Sequence, residues 1–183
     1  MGWASMIIAL AGRRIDAADT KQPKFPLAKL PEVTNALRNF FLQRQASVLV
    51  SSAACGADLL AQTEAGNLGL RRRVVIPLSR DAFRQTSVVD RPGYWGPLYD
   101  RLMDEVEASG DVIVLQNLSG EEAYSAANSV ILENAISLGR ALGQAVCALL
   151  VWDGVPSGEG DHTEGFKKAA QERRLSIFEI RTG

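Results

Sequence analysis

Residues 47–65, SVLVSSAACGADLLAQTEA, run from a β-branched and leucine stretch through small, hydroxyl-bearing residues into good helix formers. Ser51, Ser52, Gly56, Ala57 and Asp58 therefore stand where a strand hands over to a helix. Small side chains let backbone approach a ligand closely, and the first amides of a helix are donors at its positive end. A phosphate or a ribose suits such a junction. Tight helix–sheet packing with an ordinary cap calls for the same residues, and the run is neither a Walker A motif nor GxGxxG.

Three further stretches carry chemistry. Gly12-Arg13-Arg14 follows an apolar run directly, and arginine forks suit phosphate or carboxylate; the plain alternative is two exposed charges at a strand end. The segment DGVPSGEGDHTEGF, residues 153–166, is glycine-rich. Its Gly154 and Gly160 allow the chain to wrap an anion where a helix begins, with Thr163 as the expected N-cap. Asp153 and Asp161 turn that expectation toward a ribose hydroxyl or a cation, and a long surface turn is the competing reading. Asn128 sits inside a long helical pattern that does not favour asparagine, which fits base recognition or a solvated face.

Other residues invite a role and are better explained without one. Cys55 stands at a helix start, where the dipole favours a thiolate, and His162 lies on another loop. One cysteine and one histidine meet by chance too readily to make a catalytic pair, so a packed thiol is expected. Tyr94 and Trp95 suit stacking on a purine but are expected to pack beneath their own loop. Arg71, Arg72 and Arg73 form the one tight basic cluster and read as solvated charges before a strand.

The elements that position these residues follow from periodicity. Apolar runs at 6–12, 47–51, 73–78, 111–116, 145–153 and 175–181 read as strands. Helical spacing marks Val33, Leu37, Phe40 and Phe41; Leu60, Ala61, Ala65 and Leu68; Leu98, Leu102 and Val106; Tyr124, Ala127, Ile131, Leu138 and Leu142; and Phe166, Ala169 and Ala170. RDAF reads as one helical turn and DRPGYWGP as a loop. Continuously apolar strands separated by helices mean a mainly parallel sheet covered on both faces, a single doubly wound, Rossmann-like α/β domain over residues 1–183. Ligands of such sheets sit beyond the carboxyl ends of the strands, and the stretches singled out above all leave from that rim.

Bulk properties set the remaining bounds. A chain of 183 residues with 46% hydrophobic content buries enough surface to fold without disulfide or metal. A net charge of -1 gives no general attraction to nucleic acid or anionic membrane, and neither is an expected partner. Two cysteines make no disulfide framework, and Cys147 in AVCALLVW is a buried small hydrophobe. One histidine excludes a multi-histidine metal site within the chain, and no cofactor is expected. No run approaches a membrane span or a secretory signal, and MGWASM lacks the acylation pattern; a cytoplasmic setting is the default.

The strings LAGRRID, SSAACGADLLAQTEA, VVIPLSRDAF and ALLVWDG followed by GEGDHTEGF appear in this order between residues 6 and 180. Together they resemble the SLOG superfamily, the Rossmann-like group that contains the DprA and "lonely guy" phosphoribohydrolase families. The likeness is nearer to its YpsA-like members and to versions associated with nucleotide cyclases or signalling effectors. The resemblance implies a nucleotide-derived ligand, with phosphate and ribose contacts at Gly12, Arg13, Ser52, Gly56 and Ala57, and Asp153, Gly154 and Thr163 on the opposite wall. The hydrolases of the group carry PGGxGTxxE. Here Asp161-His162 interrupts the glycines, Phe166 stands at the glutamate position, and Glu164 comes two residues early.

Ligand binding or sensing in signalling or defence is thus the leading expectation. N-glycosidic hydrolysis by Glu164, Asp153 or Asp58 is the alternative, and a partner-binding module with an empty pocket is the third. A homodimer, or a place in a larger multidomain assembly, is a modest expectation.

Overall fold

Every strand core is apolar on both sides, and the computed structural model shows why. Alternate residues of each strand enter two different cores. The structure describes residues 5–183; residues 1–4, within the start examined for acylation, lie outside the described residues. The chain runs β1 (Met6–Gly12), α1 (Leu30–Gln43), β2 (Ala46–Ser51), α2 (Ala57–Asn67), β3 (Arg71–Ile76), α3 (Arg80–Ser87), α4 (Trp95–Ala108), β4 (Val112–Val114), α5 (Gly120–Leu142), β5 (Ala145–Trp152), α6 (His162–Glu172) and β6 (Ser176–Arg181).

The six strands form one all-parallel sheet in the order β4-β3-β2-β1-β5-β6. Ile8 and Leu10 of β1 face a core shared with α1, α2 and α4. Ile7, Ala9 and Ala11 face the core under α5 and α6. The chain steps outward from β1 to β4, and α5 then carries it back across the other face to β5. The strand order therefore reverses between β1 and β5, which is where a doubly wound sheet opens a crevice. Among the described residues no helix is long and apolar enough to cross a membrane.

Several local expectations need correction. RDAF belongs to a two-turn helix, α3, capped by the Ser79 hydroxyl. Trp95-Gly96-Pro97 is not loop but the first turn of α4; burial of the Trp95 indole, with its N–H donating to the Pro92 carbonyl, anchors that start. In α2 the expected Leu60, Ala61, Ala65 and Leu68 do meet the core, and Leu59, not expected there, is the fully buried leucine. Leu142 is exposed at the last turn of α5, just before Gly143 turns left-handed. The three arginines of β3 are not free charges. Arg71 and Arg73 share Asp111 at 2.9 and 2.8 Å, and Arg72 pairs with Glu105.

Candidate functional site

The carboxyl end of β1 and the start of α2 cross at a joint that only small residues allow. A Cβ at Gly12 would lie 2.5 Å from both the Ala57 Cβ and the Val151 carbonyl. Gly56 holds φ +104, and a Cβ there would stand 2.7 Å from the Arg13 carbonyl and the Ile15 amide. The crossing is sealed by backbone bonds, the Ala57 N–H donating to the Arg13 carbonyl at 3.1 Å and the Ile15 N–H to the Cys55 carbonyl at 3.3 Å. Leu59 N–H donates to the Ala54 carbonyl, and Ala54 N–H donates back to Asp58 Oδ2. The protein itself thus takes up amides of Ala57 and Leu59 at the α2 start, where the sequence led us to expect an anion.

Arg13 spans the strand-order reversal. Its Nε donates to Asp153 at 2.9 Å, its Nη1 to Asp161 at 2.8 Å and its Nη2 to the Val155 carbonyl at 2.7 Å. The guanidinium also lies 5.4 Å from the centre of the Trp152 ring. Asp161, not Thr163, is the N-cap of α6, accepting from the amides of Thr163 and Glu164 and also from Ser157. Burial alone would raise the Asp161 carboxyl, but Arg13 and those amides hold it well below the usual carboxylate range. A carboxylate therefore already occupies the positive end of α6.

Between these two anchored loops lies a cleft of about 580 Å³. Its floor is apolar, formed by Leu10, Ala11, Phe83, Ala127 and Ile131. Of the residues singled out in the sequence, Gly12, Arg13, Arg14, Ser52, Asp58, Asn128, Gly160 and Thr163 reach its wall. Asn128 is placed there by a bond from its amide to the His162 carbonyl at 2.8 Å, which ties α5 to the first residue of α6 and accounts for an asparagine inside a helix.

Six expected residues lie off this wall. Ser51 is fully buried, its hydroxyl accepting from Gln62 and donating to the Ser52 carbonyl. Gly56 and Ala57 serve the crossing, and Asp153 is spent on Arg13. Gly154 makes room for the Arg181 guanidinium, which any Cβ there would overlap. Glu164 opens instead onto an adjoining hollow of about 400 Å³, near Lys168.

The wall also holds residues to which the sequence assigned no part in ligand binding. Tyr124 and His162 stack with ring centres 5.2 Å apart, and the Tyr124 hydroxyl lies 3.0 Å from that of Ser87. Helical spacing marks Tyr124 only as inward-facing; its polar tip in the first turns of a helix leaving the rim is the signal that it reaches the cleft. Asp16 accepts from the amides of Lys24 and Phe25, folding residues 17–24 over the mouth. There the Lys24 ammonium meets the Ser157 hydroxyl. Buried Thr182 fastens the same segment, its hydroxyl donating to the Lys24 carbonyl at 2.6 Å and its amide to the Trp152 carbonyl.

Cys55 is buried with its sulfur 3.6 Å from Arg14 Nη2. Burial pushes its thiol up, outweighing Arg14, so the thiolate favoured by a helix start is not what the site provides. Arg14 also pairs with Asp90. Asp58 is the distinctive carboxyl of the cleft. Burial raises it to about 7 against the Ala54 amide and the charge of Arg14, and its Oδ1 is buried with no partner among the described residues.

No family model matches the chain, and no curated protein matches it. Among solved structures, the X-ray structure of DNA processing protein A (DprA) from Streptococcus pneumoniae is similar, with a TM-score of 0.41 and 16% identity over 96% of this chain. The chain spans 58% of the length of that structure. The assignment as a Rossmann-like α/β sheet rests on the strand order and pairing given above.

Proposed function

We propose that the chain binds a nucleotide or nucleotide-derived small molecule in the cleft between β1 and β5, as a sensing module of the SLOG type in signalling or defence. The observation that carries this reading is the cleft itself. It lies at the strand-order reversal, falls within the ~300–1,000 Å³ of small-molecule sites, and joins an apolar floor to a few convergent polar groups. The Tyr124–His162 pair offers an aromatic surface, and Lys24, Arg14 and Arg91 bring positive charge to the same wall. The sequence strings that resemble SLOG members supply several of these residues, Arg13, Arg14, Ser52 and Asp58 among them. Action through a homodimer or within a larger assembly belongs to the same proposal.

Thermal unfolding in the presence of mono-, di- and cyclic nucleotides and ADP-ribose derivatives tests it. A true ligand at 100 times its Kd stabilises the fold by about 2.7 kcal/mol. No shift with any member of the panel would remove the proposal.

One feature favours hydrolysis of an N-glycosidic bond as a second reading: burial raises the Asp58 carboxyl to about 7 inside the cleft, the range in which a general acid works. Asp153 is neutralised by Arg13, and Glu164 faces the neighbouring hollow. Chromatographic release of free base from the same compounds, abolished by Asp58→Asn, is the result this reading requires.

A further inference from the structure

Two residues of the cleft wall each carry a buried polar atom with no partner among the described residues, and the two atoms are complementary. Asp58 is more than nine-tenths buried; its Oδ2 accepts from the Ala54 amide at 3.2 Å, while its Oδ1 is buried and unbonded. Arg14 donates through Nη2 to Cys55 and Asp90, while its Nε is buried and unbonded. Both residues line the same cleft and lie within electrostatic reach of each other. Buried polar atoms in folded proteins are seldom left unpaired, so a carboxyl oxygen and a guanidinium N–H on one ligand-sized wall call for a common guest.

We propose that Asp58 and Arg14 form a subsite for a sugar hydroxyl of the ligand, and that this wall does not take its phosphate. A hydroxyl both donates and accepts. It can give its hydrogen to Asp58 Oδ1 and receive one from Arg14 Nε, and a vicinal diol can satisfy the two through neighbouring oxygens. A phosphate fits poorly, because it brings acceptors and negative charge to a carboxyl, and amides of the α2 start are already used at Ala57 and Leu59. The inference rests on the cleft being a ligand site and fixes which way round the ligand lies: sugar toward the β1–α2 joint, phosphates toward Lys24 at the mouth.

The test uses the full chain carrying 13C at the aspartate carboxyls and 15N in the arginines. D-ribose, inorganic phosphate and adenine are titrated separately, and the Asp58 13Cγ and Arg14 15Nε resonances are followed. Asp58→Asn identifies the carboxyl signal. Saturable movement of both resonances by D-ribose is expected, with neither phosphate nor adenine moving them. At pH 8, where the Asp58 carboxyl is ionised, Asp58→Asn is expected to weaken the ribose response about tenfold through loss of a charge-assisted hydrogen bond.

If phosphate or adenine moves these signals and ribose does not, the assignment is wrong. Stillness under all three probes overturns it equally, and the wild-type spectra decide this even if the variant fails to fold. Nucleotides that stabilise the fold while ribose leaves both resonances fixed would sink this subsite and leave the binding proposal standing. Ribose movement without any nucleotide effect would do the reverse.

Discussion

Arg13 and Asp161 are joined by an ion pair of 2.8 Å that bridges 148 positions of sequence, and the aspartate side chain is almost wholly buried. Removing one partner of a buried pair leaves an uncompensated charge, which costs more than the pair contributes while intact. Arg13→Ala is therefore expected to lower stability by about 3 kcal/mol, read from the urea midpoint at constant m-value. Arg13→Lys should recover only part of this, since an ammonium cannot reach Asp153, Asp161 and the Val155 carbonyl together. A loss comparable to that of an exposed pair would mean the clamp is weaker than its geometry implies.

Asp58 and Asp161 pull stability in opposite directions as pH changes. Asp58 titrates near 7 when folded and near 3.9 in an unfolded chain, so between these values the folded state holds a proton that the unfolded state has released. Stability from this group is complete below about pH 4 and falls as pH climbs to 7, by at most about 1.4 kcal/mol per pH unit. Asp161 is held low by Arg13, so its contribution is complete above the unfolded value and is lost as pH falls toward the folded one. Asp58→Asn should flatten the decline between pH 4 and 7 and spare the acid limb. Equal slopes for the two proteins across that window would show Asp58 to be ionised throughout.

Two glycine-to-alanine changes should have opposite signs. Gly56→Ala forces a side chain into a left-handed conformation against the Arg13 carbonyl and Ile15 amide, and is expected to cost about 2 kcal/mol or more. Gly165 lies inside α6, exposed, with nothing within 4 Å of an added Cβ. Gly165→Ala should gain about 0.5–1 kcal/mol from helix propensity. Thermal unfolding of both variants in one buffer is a sufficient measurement, and a stabilising Gly56→Ala would refute the joint as described.

Neither thiol should be reactive in the folded protein. Cys147 is buried in β5 with its thiol pushed up to about 12, and Cys55 is raised by burial despite Arg14. Titration with an aromatic disulfide at pH 8 should count no thiol before denaturant is added and two afterwards. Rapid labelling of one cysteine in the native state would place Cys55 in an open environment that the packing denies it.

The reach of the sequence can be judged from these same residues. β1 was expected at 6–12 and occurs at Met6–Gly12, because an apolar run ended by glycine and arginines admits one reading. The rim was legible too: Arg13, Ser52, Asp58 and Thr163 were named from loops that do converge on one cleft. Their partners were not legible. Nothing local to Arg13 indicates that Asp161 will claim it, and nothing around Ser51 indicates that Gln62 will turn inward to bind its hydroxyl. Charge pairing across long chain separations is decided by tertiary packing, which local periodicity does not encode. Helix phase was legible in α2, where the expected Leu60, Ala61, Ala65 and Leu68 all meet the core; only the burial of Leu59 beside them was not foreseen.

Thr182 has a consequence out of proportion to its size. Through one hydroxyl and one amide it hems the segment bearing Lys24 to the carboxyl end of β5. Trimming the chain just ahead of it would leave all six strands paired and Asp16 still gripping Lys24 and Phe25, yet free one hem of the cleft's canopy, separating the integrity of the scaffold from the shape of its opening.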